Sequence, residues 1–135
     1  MKTFWLLFLL SLPIAAQQYA GTDPYLNTTP VASAFSFVVD RFYPFVAQSE
    51  KPAANELGIR LTDKDGKYTA YLYFRNQYTS PTFDGKKNIL RLYFSESFYQ
   101  IILKKLEDNN TLTVNYRVYK DGHCWGDINF DKYPL

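Results

Sequence analysis

Four segments of the chain alternate apolar and polar side chains with a period of two. Leu57, Ile59 and Leu61 are interleaved with Gly58, Arg60 and Thr62, and Ala70, Leu72 and Phe74 with Tyr71, Tyr73 and Arg75. Leu90, Leu92 and Phe94 oppose Arg91 and Tyr93, and Leu112, Val114, Tyr116 and Val118 repeat the pattern. Successive side chains of an extended strand point to opposite faces, so this period demands strands and gathers the aliphatic groups on one side. A slip of one residue would turn that whole set to water, so the pairing register is strongly specified. The 12 Tyr and 11 Phe point the same way, because aromatic side chains suit a pleated surface.

Turn chemistry then sets two registers. Asp65-Gly66 marks a hairpin, and an even-length loop there puts Arg60 on the same face as Tyr71. Lys120-Asp121-Gly122 marks a second hairpin, before a last strand from His123 to Phe130. A two-residue loop would set Val114 against Asn129 and mix the faces. A three-residue loop with Gly122 left-handed sets Val114 against Ile128, Leu112 against Phe130 and Arg117 against Trp125. Agreement of the apolar sets selects the longer loop.

Two segments carry helical spacing. Thr29-Pro30 reads as an N-cap and a first-turn proline, Val31, Phe35, Val38, Val39 and Phe42 follow at helical intervals, and Pro44 stops or kinks the run. Phe35, Phe37 and Val39 also alternate, which leaves a strand as the second reading of that stretch. A polar loop is expected from Gln48 to Asn55, and a second loop from Asn76 to Asn88. Ser95 and Glu96 open a second helix with an apolar stripe of Phe98, Ile101, Ile102 and Leu106; Lys104 and Lys105 suit its C-terminal dipole, and Asn109-Asn110 ends it. The expected fold is therefore α+β, a single two-layer domain over residues 29–135. It consists of an antiparallel sheet of about five strands with two helices packed on one face, in the order α-β-β-β-α-β-β. Five strands about 4.8 Å apart leave room for two helices about 10 Å apart on the aliphatic side.

The start of the chain reads as a secretory signal peptide: Lys2, an apolar run from Phe4 to Leu12, and Ile14-Ala15-Ala16 before Gln17. Cleavage is expected after Ala16, within a residue or two, with a loose leader at 17–28 and a periplasmic or secreted destination. The apolar run is shorter than the roughly 20 residues of a membrane-spanning helix, so no stable anchor is expected. Losing Lys2 lowers the formal net charge of +2 by one. A near-neutral chain offers no electrostatic case for nucleic acid or for an anionic membrane. Cys124 is the only cysteine, so no intrachain disulfide can form, and the thiol is expected to be hidden as a small apolar group. Asn27-Thr28-Thr29 and Asn109-Asn110-Thr111 match the glycosylation triplet.

Chemistry-bearing constellations are sparse. His123-Cys124 places a thiol beside a base, but strand neighbours diverge to opposite faces. Two Cys/His ligands do not make a structural zinc site, and no cofactor is expected. Asp63-Lys64-Asp65-Gly66 has the start of a calcium loop, yet Lys67 and Phe74 occupy positions that need oxygen ligands, so the hairpin reading prevails. Asp127 is the acid expected within the aromatic face, where it reads as an ion-pair partner for Arg117 or Arg91. No second carboxylate stands at a defined distance from it, as glycoside hydrolysis requires. No G-x-S-x-G, P-loop or dinucleotide fingerprint is present.

What remains is the polar face of the sheet, expected to carry Arg60, Tyr71, Tyr73, Arg75, Arg91, Tyr93, Arg117, Tyr119, His123, Trp125 and Asp127. Tyr, Trp and Arg are enriched at interface hot spots, because each joins a large rigid area to a polar or charged end. The leading expectation is a small exported, non-enzymatic binding protein that uses this face for protein–protein contact, as an inhibitor, an immunity-type protein or an assembly accessory. The alternative is a small-ligand or glycan-binding module that stacks on the same aromatics. A third reading is a small hydrolase using His123 and Asp127.

Overall fold

The computed structural model describes residues 23–50 and 53–131. The signal peptide, its cleavage point, the leader up to residue 22 and the last four residues lie outside the described set. Among the described residues, eight strands carry most of the fold: β1 (Val31–Val38), β2 (Arg41–Glu50), β3 (Ala53–Thr62), β4 (Thr69–Phe74), β5 (Thr82–Asp84), β6 (Ile89–Phe94), β7 (Thr111–Tyr119) and β8 (Cys124–Asp131). A 3-10 turn at Glu96–Phe98 leads into α1 (Tyr99–Glu107). The strands form two sheets, one ordered β1-β7-β8 and the other β2-β3-β4-β6-β5. The class is mixed and sheet-dominated, with antiparallel pairing nearly throughout.

The helix expected after Pro30 is instead β1 and β2. Burial does not follow the helical stripe: Val31 and Val38 are exposed whereas Phe37 is buried at 7% exposure. The period-two reading wins because β1 finds β7, with Phe35 opposite Tyr116 and Phe37 opposite Val114. β2 then finds β3 from Arg41–Thr62 to Glu50–Ala53. Pro44 does not break β2, because β2 is an edge strand and can spare one ladder donor. The same pairing turns both sides of the expected polar loop at 48–55 into strand.

The second correction concerns what covers the aliphatic face. In place of two helices, the β1-β7-β8 sheet and the single helix among the described residues do so. Ile59, Leu61, Leu72, Leu90 and Leu92 from one sheet meet Phe37, Leu112 and Val114 from the other, with Ile102 and Leu106 of α1 in the same core. Gly126 on β8 shows how closely the sheets approach, since a Cβ there would overlap the Leu92 side chain. The third correction is one of direction: β6 lies between β4 and β5 and runs parallel to β4, Tyr71 opposite Arg91 and Tyr73 opposite Tyr93. Period two specifies faces and says nothing about which strand lies alongside.

Other local expectations match. Arg60 pairs with Tyr71 across the first hairpin. In the last hairpin Leu112 faces Phe130, Val114 faces Ile128 and Arg117 faces Trp125, with Gly122 at φ +95°. Asn109 ends the helix in the left-handed region at φ +61°, and the Asn110 side chain donates to the Lys105 carbonyl at 2.9 Å, so an orphan helix-end acceptor is satisfied. Ser95 precedes the helical segment but makes no side-chain cap.

The Gly126–Leu92 contact supplies a direct test of sheet-on-sheet packing. Gly126→Ala should cost about 1–3 kcal/mol through overpacking and Leu92→Ala about 2–5 kcal/mol through a cavity. The double variant should be at least about 1 kcal/mol more stable than the sum of the two, because the shortened residue makes room for the new methyl. Urea titrations of the four proteins measure this coupling; strict additivity would separate the two residues.

Candidate interaction face

The residues singled out for binding divide between the two sheets. Arg60, Tyr71, Tyr73, Arg75, Arg91 and Tyr93 share the outer face of the five-stranded sheet, joined by Tyr43 and Phe45 from β2. Arg117, Tyr119, Trp125 and Asp127 belong to the outer side of the three-stranded sheet, with His123 in the turn beside them. Odd and even side chains segregate within each sheet as expected. The inner faces pack together, however, so the two outer faces point away from each other, and one continuous patch is not formed.

On the five-stranded sheet, register builds transverse rows. The first runs Tyr43–Arg60–Tyr71–Arg91–Thr82 across five strands. The second runs Phe45–Gly58–Tyr73–Tyr93. Gly58 is required in that row: a Cβ would lie 2.6 Å from the Leu72 carbonyl oxygen and would strike the Phe45 ring above it. The Phe45 ring meets Tyr71 and Tyr73 edge-to-face at 6.1 and 5.9 Å. Tyr73 stacks on Tyr71 at 6.1 Å and on Tyr93 at 5.4 Å.

The guanidinium groups complete this lattice. Arg60 lies 4.4 Å from the Tyr43 ring centroid, and Arg91 lies 5.9 Å from that of Tyr71. Arg75 covers Tyr93 at 4.8 Å and Tyr73 at 5.3 Å while its fork grips both oxygens of Glu56, at 2.5 and 3.1 Å. Each exposed cation–π contact contributes about 0.5–1 kcal/mol, and together they hold the side chains in place before any partner arrives. Arg60 and Tyr43 are exposed and the other members half-buried, so polar ends and ring edges remain accessible. A shallow depression of about 230 Å³ lies among Tyr43, Phe45, Arg60, Tyr71 and Tyr73.

The other set makes a buried polar knot. Asp127 accepts from Asn115 at 2.9 Å, Asn129 at 3.1 Å, the Trp125 indole at 2.8 Å and Arg117 at 3.4 Å. The Arg117 Nε donates to Asp23 at 3.0 Å, and the Tyr119 hydroxyl donates to the same carboxylate. Side-chain exposure is 8% for Arg117 and 0% for Asp23, so this pair is shielded from water. Burial disfavours the Arg117 charge, but Tyr119, Asp23 and Asp127 outweigh it and hold the guanidinium above its ordinary range. Burial and then the Asp23 contact push Tyr119 upward as well. Asp23 was not among the expected residues; it sits in the segment read as a loose leader, and no local pattern there signals a partner 94 residues away.

His123 faces Asp121 through Nδ1 rather than Asp127, its ring packed against Tyr25 at 4.4 Å and Tyr119 at 4.5 Å. Asp127 is saturated by four donors, so it has no lone pair free for proton transfer. Cys124 is half-buried on the inner parity, its thiol 3.4 Å from the Pro81 carbonyl, whereas His123 precedes the strand and its ring packs on Tyr25 and Tyr119. Tyr25, Tyr78, Ser80, Asp121, His123 and Trp125 border an open concavity of about 670 Å³ beside this turn. Among the described residues no group of three or more His, Cys, Asp or Glu side chains is arranged to hold a metal. Comparison with protein-family models, with curated proteins and with solved structures finds no match.

Two outcomes follow from this geometry. Arg117→Ala should cost about 3–5 kcal/mol, since it strands two buried carboxylates, and should lower Tm without touching the tyrosine rows. Tyr116, on the inner side, is pushed up to about 12, first by burial and then by the Cys124 thiol. Its ordinary value is near 10, so the folded chain holds this proton more tightly than the unfolded one, and that share of stability is intact below about pH 10. It disappears as pH climbs toward about 12, and Tyr116→Phe should flatten this alkaline limb in urea midpoints measured across the range. An unchanged limb would place the titration elsewhere.

Proposed function

We propose that this chain is an exported, non-enzymatic binding protein that engages a protein partner through the outer face of its five-stranded sheet. The observation that carries the reading is the Tyr–Arg lattice, a set of large side chains locked in register by stacking and cation–π contacts and left half-exposed. Preorganised aromatic and arginine side chains lose little entropy on association, which is the character of interface hot spots. Export rests on the basic, apolar and small-residue order of the first sixteen positions; among the described residues, no helix is long and apolar enough to cross a membrane.

A glycan or small-molecule reading of the same face is less well supported. Sugar stacking needs open ring faces, and here Tyr71, Tyr73 and Tyr93 turn theirs toward one another and toward Arg75. The depression of about 230 Å³ falls below the roughly 300–1,000 Å³ of ligand pockets. The hydrolase reading loses its pair, because His123 and Asp127 each bind other residues.

The test is capture from an extracytoplasmic extract on the immobilised protein, compared with a Tyr71→Ala/Tyr73→Ala variant whose Tm is checked in parallel. A specific partner should be retained by the parent and lost at least tenfold by the variant, while Lys104→Ala/Lys105→Ala retains it. Equal retention by the parent and the tyrosine variant would remove the face from the interaction.

A further inference from the structure

The two kinds of cationic side chain are sorted by location. The sequence contains five arginines, Arg41, Arg60, Arg75, Arg91 and Arg117. Arg117 is buried in its pair with Asp23, and the other four all belong to the outer face of the five-stranded sheet. The described lysines sit elsewhere, in turns (Lys64, Lys67, Lys86, Lys87, Lys120) or on the helix (Lys104, Lys105). Charge alone would be served by either residue. Only guanidinium presents a planar fork of donors that matches a carboxylate and stacks on an aromatic ring.

Two of the four are already engaged. Arg75 is bound to Glu56, and Arg41 contacts Asp40 at 3.4 Å. Arg60 and Arg91 meet no carboxylate among the described residues. They flank Tyr71 in a single transverse row, one strand to either side. Two strand spacings put their backbones about 10 Å apart, the reach of about three residues of extended chain. Their rings hold them, and their forks remain available.

We infer that the partner surface recognised by this face is an acidic protein segment, whose carboxylates are taken by Arg60 and Arg91 on either side of the Tyr71 hydroxyl. This rests on the binding reading above and specifies its chemistry. Glu56 and Arg75 neutralise each other at the next end of the face, so the excess positive charge is centred on the Tyr71 row. The pairing supplies orientation and on-rate, and the aromatic rows supply contact area.

The probe is a synthetic peptide carrying Glu at every third position, compared with its Gln counterpart and with a heparin oligosaccharide as a sulfate source. NMR of the arginine Nε–Hε groups follows each site separately, so weak binding is still read. The Glu peptide should shift Arg60 and Arg91 and leave Arg117 unmoved, and the Gln peptide should bind at least tenfold more weakly. Arg60→Lys/Arg91→Lys, which keeps the charge and removes the forks, should weaken the Glu peptide at least fivefold. Equal binding by the lysine variant, equal binding of the Gln peptide, or tighter binding of heparin than of the Glu peptide would each overturn the inference. If the lysine variant still captures the protein partner while Tyr71→Ala/Tyr73→Ala does not, the acidic segment is wrong and the binding face stands. Capture untouched by the tyrosine variant would remove both.

Discussion

Residues 31–50 form a nearly continuous extended ribbon, and the way its backbone donors divide organises the whole molecule. The Val39 N–H donates to the Leu112 carbonyl at 2.9 Å, on the β7 side, and the Asp40 N–H donates to the Thr62 carbonyl at 2.8 Å, on the β3 side. Adjacent N–H groups of an extended chain point in opposite directions, so this dipeptide is where one strand leaves the first sheet and joins the second. Phe35 and Phe37 before the switch, and Phe42 after it, all reach the shared core. Without this crossing the aliphatic face of the five-stranded sheet would lack its cover, and β7 and β8 would lack a third strand. Sheets packed in this way keep their inner faces about 10 Å apart, which explains the need for glycine at position 126.

Polar chemistry is put to two different uses on the two outer faces. On the three-stranded side, Asp23, Asn115, Arg117 and Asp127 are buried and mutually satisfied. Such a knot ties the residues before β1 to the last hairpin, and its net contribution to stability is reduced because two carboxylates and a guanidinium must first be dehydrated. On the five-stranded side, Arg60 and Arg91 lean on tyrosine rings and meet no carboxylate among the described residues. The first arrangement spends its charges on internal pairs, whereas the second is held in place by ring contacts and left half-exposed.

The division between what was legible and what was not follows the range of the interactions. Burial of Ile59, Leu61, Leu72, Leu90 and Val114 at 0% exposure agrees with their parity, and so does the pairing of Arg60 with Tyr71 and Arg117 with Trp125. Six of the eleven expected binding residues lie together on one face. The remaining five do not join them, because parity assigns a side chain to a face of its own sheet and is silent about how many sheets there are. Tyr43 and Phe45 were missed because the run from Val31 to Phe42 satisfies helical and strand spacing at once. Pro44, read as the stop of a helix, instead sits within β2, where an edge strand tolerates it.

Alternation, turn residues and the composition of the strands determined by themselves which groups face inward, where the hairpins turn and which registers they keep, since all of these depend on neighbours a few positions apart. Tertiary structure alone decided the number of sheets, the parallel placement of β6 beside β4, the fate of residues 31–50 and the partnership of Asp23 with Arg117. Each of these is a choice among partners far apart in the chain. It is settled by which pairing satisfies the backbone donors and excludes water from the common core, a comparison that no single segment contains.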